Sequence, residues 1–134
     1  MGSKIDWASL SEQAWAAREQ AYAPYSKFAV GAALLAESGE VFRGCNVENI
    51  SFGLTICAER SALTAAVQAG CRKFSGIAVV ADTDTPVMPC GACRQFLAEF
   101  HPSLPIYSAC RGGVSDCRLL SDLLPSPFAE IKTG

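Results

Sequence analysis

Charged residues are scarce in this sequence: they make up 18% of its 134 residues, and no run of basic residues occurs. The 11 Lys and Arg residues against 13 Asp and Glu residues give a formal net charge of -2. Proteins that bind nucleic acid normally carry a basic patch that neutralises phosphates. We therefore expect the partner to be a free small molecule and not a nucleic acid.

Long hydrophobic runs and a recognisable secretory signal are also missing, which predicts a protein without membrane attachment. The seven cysteines are an odd number, which argues against a complete disulfide framework and favours a reducing cytoplasm. No repeat or low-complexity segment interrupts the chain, and its length fits one domain over residues 1–134. Half of the residues are hydrophobic, enough for a good core and suggestive of buried subunit contacts.

Histidine is nearly absent as well, and the sole one, His101, stands next to Pro102, where we expect it at the surface rather than on a metal. Cysteines occur instead in a pattern typical of a catalytic zinc site, Cys57-Ala58-Glu59 followed by Pro89-Cys90-Gly91-Ala92-Cys93. Such sites take three ligands from the protein and leave a fourth position open. Three thiolates from Cys57, Cys90 and Cys93 match that count.

Both halves of this motif are predicted to lie at helix N-termini. Thr55 is a candidate N-cap, which would put Cys57 and Glu59 in the first turn, and Pro89 is a candidate first-turn proline. Helix N-termini carry a partial positive charge and favour thiolate over thiol. The prediction is therefore two helix starts that point at one Zn²⁺ ion.

The wider pattern predicts an α/β fold. Apolar positions repeat at helical spacing from Trp7 to Ala21, and alternating α and β units follow in the second half of the chain. Such units favour a three-layer α/β/α sandwich. Helices are predicted at 7–21, 57–69, 90–100 and, as a short turn, 120–124; strands are predicted at 28–35, 41–46, 77–81, 105–108 and, more weakly, 117–119.

The motifs together resemble those of the small homotetrameric zinc-dependent cytidine deaminases, over roughly residues 20 to 128. The resemblance rests on Cys57-Ala58-Glu59-Arg60, on Pro89-Cys90-Gly91-Ala92-Cys93-Arg94-Gln95, on Gly44-Cys45-Asn46-Val47-Glu48-Asn49, and on Tyr22-Ala23-Pro24-Tyr25-Ser26-Lys27-Phe28. It implies a five-stranded mixed sheet whose fifth strand is antiparallel to its neighbour. It also implies hydrolytic deamination of cytidine and 2'-deoxycytidine to uridine and 2'-deoxyuridine, with release of ammonia, in pyrimidine salvage.

The same resemblance assigns roles to individual residues. Glu59 would move protons to N3 of the base and to the leaving amine, in the manner of the nucleobase deaminases. The backbone of Ala58 would meet the Watson-Crick edge of the base, and Phe28 would pack against the ring. The resemblance further implies that Asn46 and Glu48 hold the ribose 3'-hydroxyl, and that Phe52 and Phe128 reach into the site of a neighbouring subunit of a homotetramer.

Three thiolates around Zn²⁺ leave a net charge of -1, which makes a bound water harder to ionise than neutral imidazole ligands do. The two helix N-termini and Arg60 are the groups available to offset this charge. The position of Arg60 matches one that hydrogen-bonds ligand thiolates in the family.

Three alternatives stay open at this point. The substrate could be a related aminopyrimidine or an antibiotic nucleoside, a difference that the segment 108–117, which resembles the family least, could encode. Cys45 or Cys71 could complete a closed structural zinc site with four thiolates. Cys90 and Cys93 could instead form a dithiol redox pair.

Overall fold

Five strands form one mixed sheet in the computed structural model, which describes residues 4–129. The strands are β1 (Val30–Ala36), β2 (Val41–Cys45), β3 (Phe74–Ala81), β4 (Pro105–Ala109) and β5 (Ser115–Leu119), and their order across the sheet is β2-β1-β3-β4-β5. Strands β3 and β4 are parallel, and every other neighbouring pair is antiparallel. The predicted mixed sheet with an antiparallel fifth strand is confirmed.

Helices cover both faces of this sheet. They are α1 (Trp7–Arg18), α2 (Ala58–Gln68), α3 (Gly91–Ala98) and the single turn α4 (Leu120–Leu123). On one face Leu10 and Ala14 of α1 pack in a cluster with Ala33 and Val80. The larger core lies on the other face, where α2 and α3 bury Leu63 and Leu97 among other residues. This arrangement is the predicted three-layer α/β/α sandwich.

Two glycines allow helices to approach the sheet closely. A Cβ atom at Gly31 would lie 2.0 Å from the Ala14 carbonyl oxygen of α1, and one at Gly44 would lie 2.4 Å from the Ala58 carbonyl oxygen of α2. No side chain fits at such distances, so each helix backbone lies directly on a strand. Gly44 therefore sets the depth at which the start of α2 meets the sheet.

The first helix is shorter than its periodicity predicts. It ends at Arg18 and not near Ala21, because the chain then turns to place Tyr22 beside the segment after β2. The Tyr22 amide donates to the Asn46 carbonyl at 3.0 Å, and the Glu48 amide donates to the Tyr22 carbonyl at 2.8 Å. Long-range pairing, invisible to helical periodicity, terminates the helix.

The connection from β3 through α3 to the parallel strand β4 places the start of α3 at the carboxyl end of these strands. In open α/β sheets this edge is where ligands bind. The Sγ atoms of Cys57 and Cys90 lie 3.9 Å apart, so α2 also begins at this edge. None of the helices within residues 4–129 has the length and apolar character that a membrane crossing requires.

Candidate active site

The three motif cysteines converge at the edge where α2 and α3 begin. The Sγ–Sγ distance is 3.9 Å between Cys57 and Cys90 and 3.5 Å between Cys90 and Cys93, and all three atoms lie within 4.8 Å of one another. A tetrahedral Zn²⁺ with Zn–S bonds of about 2.3 Å requires sulfur atoms about 3.8 Å apart. The cluster therefore has the spacing that zinc requires.

Both helices begin later than the predicted roles of Thr55 as N-cap and Pro89 as a first-turn proline imply. Cys57 itself is the N-cap of α2, and Cys90 is the N-cap of α3, each with extended backbone and without a side-chain capping bond. Thr55 lies outside the helix and its hydroxyl accepts from the Asn49 amide at 3.3 Å, while Pro89 precedes the cap. The sulfurs thus stand directly at two helix starts, where the partial positive charge favours thiolates.

Repulsion between thiolates in the cluster favours a bound cation. A hydrogen bond from the Cys93 thiol, aided by the Arg60 guanidinium, lowers the pKa of Cys57 to about 5. The same hydrogen bond together with burial raises the pKa of Cys93. Three sulfurs this close cannot all ionise unless a positive ion lies among them. The donor set consequently fits zinc in chemistry as well as in spacing.

Arg60 contacts this cluster from α2. Its Nη2 atom donates to Cys57 Sγ at 3.5 Å and to the Thr55 carbonyl at 3.2 Å. A guanidinium hydrogen-bonded to a thiolate withdraws part of its negative charge. Arg60 therefore occupies the position from which it can offset the excess charge expected of three thiolates.

Glu59 is a buried carboxyl beside the sulfurs, only 5% exposed in the first turn of α2. Burial raises the pKa of Glu59 to about 7, and the neighbouring Cys57 adds to the increase. A carboxyl with a pKa near neutrality can both take and release a proton in the physiological range. Ala58, fully buried, leaves its backbone beside this group without filling the space in front of it.

A cavity of about 260 Å³ connects the sulfurs to the surface. We call Cys57, Glu59, Cys90 and Cys93 the sulfur end of the site, and Ser26, Phe28, Asn46 and Glu48 its mouth. The cavity brings together Glu59, two of the three predicted ligands and the residues predicted to bind base and ribose, whereas Cys93 and Arg60 do not line it. Its lining is Ser26, Phe28, Val30, Asn46, Glu48, Thr55, Cys57, Ala58, Glu59, Val79, Val87, Met88 and Cys90.

Hydrogen bonds fix the polar groups of the mouth in place. Asn46 accepts from the Val30 amide at 2.9 Å and donates to the Phe28 carbonyl at 2.7 Å, so its amide group extends the start of β1. Glu48 accepts from the Ser26 hydroxyl and from the amides of Tyr25 and Ser26 at 3.0 and 3.1 Å. The Ser26 hydroxyl is the main reason that the pKa of Glu48 lies below its usual value.

Phe52 and Phe128 lie outside the cavity. Phe52 is 73% exposed and meets the Tyr25 ring edge-on at 6.0 Å between centroids. Phe128 is 71% exposed, and its backbone exchanges two hydrogen bonds of 3.0 Å with the Gln95 side chain of α3. A single chain therefore does not bring these two aromatic rings to the sulfur end.

Several residues that line the cavity have no site role predicted from the sequence, among them Ser26, Val87 and Met88. Ser26 stands two residues before Phe28, in the segment Tyr22-Ala23-Pro24-Tyr25-Ser26-Lys27-Phe28 that resembles the family. Val87 and Met88 directly precede the Pro89-Cys90 pair, which is the signal that could have identified them. Loop residues of this kind carry no periodicity, so only their proximity to a motif marks them.

The geometry bears on two of the alternatives. Within residues 4–129, the cluster of potential metal ligands contains three cysteines and no fourth Cys, His, Asp or Glu. Neither Cys45 nor Cys71 completes a closed four-thiolate site. A dithiol redox pair of Cys90 and Cys93 leaves unexplained the third sulfur, Cys57 Sγ, which lies 3.9 Å from Cys90 Sγ.

Comparison with known proteins agrees with this site. A sequence model described as the cytidine and deoxycytidylate deaminase zinc-binding region matches residues 6–109. A protein named cytidine deaminase from Sporosarcina psychrophila is 50% identical over 127 residues, covering 94% of this chain and 93% of that protein. Another of that name from Halalkalibacterium halodurans is 51% identical over 125 residues, with 92% and 95% covered.

Solved structures give the same result. The crystal structure of a cytidine deaminase from Burkholderia pseudomallei superposes with a TM-score of 0.90 at 50% identity, covering 92% of this chain and all of that one. A cytidine deaminase from Mycobacterium tuberculosis superposes with a TM-score of 0.83 at 42% identity, covering 95% of this chain and all of that one. With three sulfurs at zinc spacing and this extent of similarity, the chain belongs to the cytidine and deoxycytidylate deaminase family of zinc-binding enzymes.

Proposed function

We propose that this protein catalyses the zinc-dependent hydrolytic deamination of free cytidine and 2'-deoxycytidine to uridine and 2'-deoxyuridine, with release of ammonia, in pyrimidine salvage. The observation that carries the proposal is the buried Glu59 carboxyl beside three sulfurs at zinc spacing, at the inner end of a cavity that opens to solvent. The formal net charge of -2, without a basic run, favours a free nucleoside over a base within a polynucleotide.

At the sulfur end, Cys57, Cys90 and Cys93 hold the zinc ion, which when bound lowers the pKa of water and so supplies a nucleophile at neutral pH. Glu59 takes a proton from the attacking water and delivers it to N3 of the base. The oxygen of this water adds to C4, and Glu59 then passes the remaining proton of the added hydroxyl to the amine. The C4–N bond breaks as the C4–O bond becomes a carbonyl, and the nitrogen leaves as ammonia.

Glu59 suits this role because it is not among the ligands and is nevertheless adjacent to them. Burial raises its pKa above the usual value for a glutamate, which makes the carboxylate a better proton acceptor from water near neutral pH. Arg60 has a supporting role, in which its guanidinium draws charge from the Cys57 thiolate.

At the mouth, Phe28 packs against the pyrimidine ring while Asn46 and Glu48 bind the ribose 3'-hydroxyl. The carboxylate of Glu48 is oriented by three donors from residues 25 and 26, and a fixed acceptor suits a neutral sugar hydroxyl. The same carboxylate would repel a phosphate group. We therefore expect nucleosides to be preferred over nucleotides.

The active unit in this proposal is a homotetramer in which Phe52 and Phe128 complete the site of a neighbouring subunit, and residues 1–134 form its single catalytic domain. Large apolar side chains stand exposed near the mouth, among them Ile50, Phe52 and Leu54 at 64–78% exposure. Burial of such side chains between subunits is favourable.

The seven free thiols suit a reducing compartment, the cytoplasm.

The direct test is purified protein with cytidine or 2'-deoxycytidine, followed by the loss of cytidine absorbance and by chromatography of the product, with zinc measured on the same sample. Glu59→Gln should lower kcat by about 10³- to 10⁴-fold, at the upper range of proton-transfer catalysis. It should keep about one zinc per chain, because three protein ligands complete such a site. Glu12→Gln, an exposed change on α1, is the matched control.

Two outcomes would contradict the proposal. A zinc-loaded protein that leaves both nucleosides unchanged would move the substrate to another aminopyrimidine or a modified nucleoside. Loss of zinc in Glu59→Gln would mean that Glu59 has been given the wrong role.

Assembly has its own test. Light scattering should give the mass of four chains, and a mixture of Glu59→Gln with Phe128→Ala, refolded together, should recover activity if sites are shared. A stable and fully active monomer would remove the roles proposed for Phe52 and Phe128.

A further inference from the structure

Ser108 is a buried polar side chain that the proposed chemistry does not use. Within residues 4–129, three polar or charged residues are buried, and two of them, Asn46 and Glu59, line the cavity. The third is Ser108, which is 1% exposed. It lies on β4 directly opposite Val79 of β3, two residues after the core residue Ile106 on the same face of the sheet. An apolar residue is expected there, because burying a hydroxyl is costly unless it has a partner.

The partner of this hydroxyl is part of the cavity wall. Ser108 Oγ donates to the carbonyl oxygen of Val87 at 2.7 Å. Val87 and its neighbour Met88 both line the cavity, and Cys90 follows two residues later. The hydroxyl therefore connects the sheet to the part of the cavity wall formed by Val87 and Met88.

The wall depends on side chains for its position. Between Asp84 and Pro89, the described part of the chain has no hydrogen bond from backbone to backbone. Alternate carbonyls accept from side chains instead: Thr85 from Thr83 at 2.7 Å, Val87 from Ser108 at 2.7 Å and Pro89 from Arg94 at 2.7 Å. Thr83 belongs to the same loop and Arg94 to α3, so Ser108 is the one of these three donors that lies on the sheet.

The residues that follow Ser108 hold the other end of the same loop. Arg111 donates from Nε to Asp82 at 2.7 Å and from Nη1 to Asp84 at 2.9 Å, and its amide donates to the Thr83 carbonyl at 3.0 Å. These ion pairs are exposed, and such pairs contribute little to stability. The Ser108 bond is the buried attachment of this loop, and the Arg111 bonds are its exposed attachment.

We propose that Ser108 is a positioning residue whose hydroxyl holds the Val87 carbonyl and so fixes the wall formed by Val87 and Met88 against the bound nucleoside. This inference rests on the proposed function for its effect on catalysis, since the wall is assigned to nucleoside binding. The hydroxyl does not touch the reacting atoms. Its loss loosens the wall and weakens substrate binding, while the zinc ligands and Glu59 stay in place.

The experiment compares Ser108→Ala with wild type, and Ser108→Thr with Ser108→Val, a pair that differs only by a hydroxyl at equal bulk. For Ser108→Ala we expect KM for cytidine to rise by roughly 3- to 10-fold, as for one lost hydrogen bond, with kcat within about twofold. KM of Ser108→Thr should be lower than that of Ser108→Val by a similar factor. Ser115→Ala removes an exposed hydroxyl on β5 and is the matched control.

NMR order parameters of the methyl groups of Val87 and Met88 give a readout that needs no substrate. These order parameters should fall in Ser108→Ala and in Ser108→Val relative to Ser108→Thr, while those of the Leu10 methyl groups in α1 stay as in wild type. If the order parameters of Leu10 fall equally, or if those of Val87 and Met88 do not change, Ser108 is only a core residue and the inference is wrong. An unchanged KM in Ser108→Ala would also overturn it.

The two proposals can fail separately. Wild-type protein that does not deaminate cytidine would refute the proposed function, and the methyl order parameters of Val87 and Met88 would still decide whether Ser108 holds the wall. Conversely, an active enzyme in which Ser108→Ala behaves as wild type refutes the inference alone.

Discussion

The sulfur end and the mouth of the cavity are built in different ways. Both sides of the sulfur end are helix starts packed on the larger core, and Cys93 and Glu59 are almost fully buried there. The mouth consists of a loop and a strand end, and Phe28 is 40% exposed. Short motifs on regular elements thus carry the proposed chemistry, whereas contacts between distant loops create the surface assigned to substrate binding.

The largest loss is expected when a zinc ligand is removed from the sulfur end. Cys93→Ala should lower zinc content from about one per chain to almost none, since a catalytic zinc site needs its three protein ligands. Activity should fall by roughly 10³-fold or more, because metal activation supplies several kcal/mol of transition-state stabilisation. Metal analysis and the deamination assay measure both effects.

Cys117→Ala is the control for this change, because Cys117 is an exposed thiol on β5 outside the cluster. It should keep both zinc and activity. Retention of full activity in Cys93→Ala would show that the sulfur end is not the catalytic centre.

A smaller loss is expected when the mouth is altered. Glu48→Gln removes the charge of the acceptor assigned to the ribose, and a hydrogen bond to a charged group is worth about 1.5–3 kcal/mol. We expect kcat/KM for cytidine to fall by roughly 10- to 100-fold, mainly through KM. The same variant should treat 1-methylcytosine, which has no sugar, as wild type does.

Equal losses on cytidine and 1-methylcytosine would contradict the division between the two ends. They would mean that Glu48 supports the base or the catalyst instead of the sugar. Steady-state kinetics with the two substrates under the same conditions make the comparison.

A third change tests whether Arg60 stabilises the thiolates of the sulfur end. Arg60→Gln removes the guanidinium that donates to Cys57 Sγ, whereas Arg60→Lys keeps a positive charge. Losing a group that hydrogen-bonds a metal ligand typically costs about 10- to 100-fold in metal affinity or activity. We expect Arg60→Gln to release zinc to a chelator at a higher pH than wild type, because protons compete better for a less stabilised thiolate. Arg60→Lys should lie between the two.

An identical pH of zinc release in wild type and Arg60→Gln would show that Arg60 does not stabilise the thiolates. Chelator titration at several pH values, read by a coloured zinc complex, provides the measurement. Arg72→Gln, on an exposed arginine beyond the end of α2, controls for the loss of positive charge.

The smallest expected effect concerns the pH dependence of the mouth. The Ser26 hydroxyl lowers the pKa of Glu48 below its usual 4.5, so the carboxylate stays ionised as the pH falls to that value. The contribution of the ionised group is present above the usual pKa and is lost as the pH falls through the lowered one. In Ser26→Ala the pKa should return toward 4.5, and KM for cytidine should begin to rise at a higher pH than in wild type.

The size of this effect is that of one neutral hydrogen bond, about 2- to 10-fold in KM near the titration. The profile of KM against pH, from neutrality down to about pH 4 where a glutamate titrates, measures it. Superimposable profiles would show that Ser26 does not govern the ionisation of Glu48.

Local sequence patterns predicted much of the fold and of the sulfur end. Apolar periodicity and the spacing Cys57-Ala58-Glu59 with Pro89-Cys90-Gly91-Ala92-Cys93 predicted the sandwich, two helices that begin near the cysteines and the cluster of three sulfurs, because helical periodicity is local. The caps were missed, since Cys57 and not Thr55 is the N-cap of α2 and Pro89 lies before the N-cap of α3. The direction of the fifth strand came from the resemblance, since strand pairing is not a local property. The early end of α1 at Arg18 was missed for the same reason.

The contacts that position Glu48 and the Val87 carbonyl depend on tertiary structure and could not be predicted from the sequence. The hydrogen bond from the Ser26 amide to Glu48 joins residues 22 apart in sequence, and the hydrogen bond from Ser108 to Val87 joins residues 21 apart. Contacts at such separations follow from the register of the sheet and from the course of loops without periodicity. A sequence motif names the atoms that hold zinc, but the depth of the cavity and the position of its walls result from where the folded chain brings distant residues together.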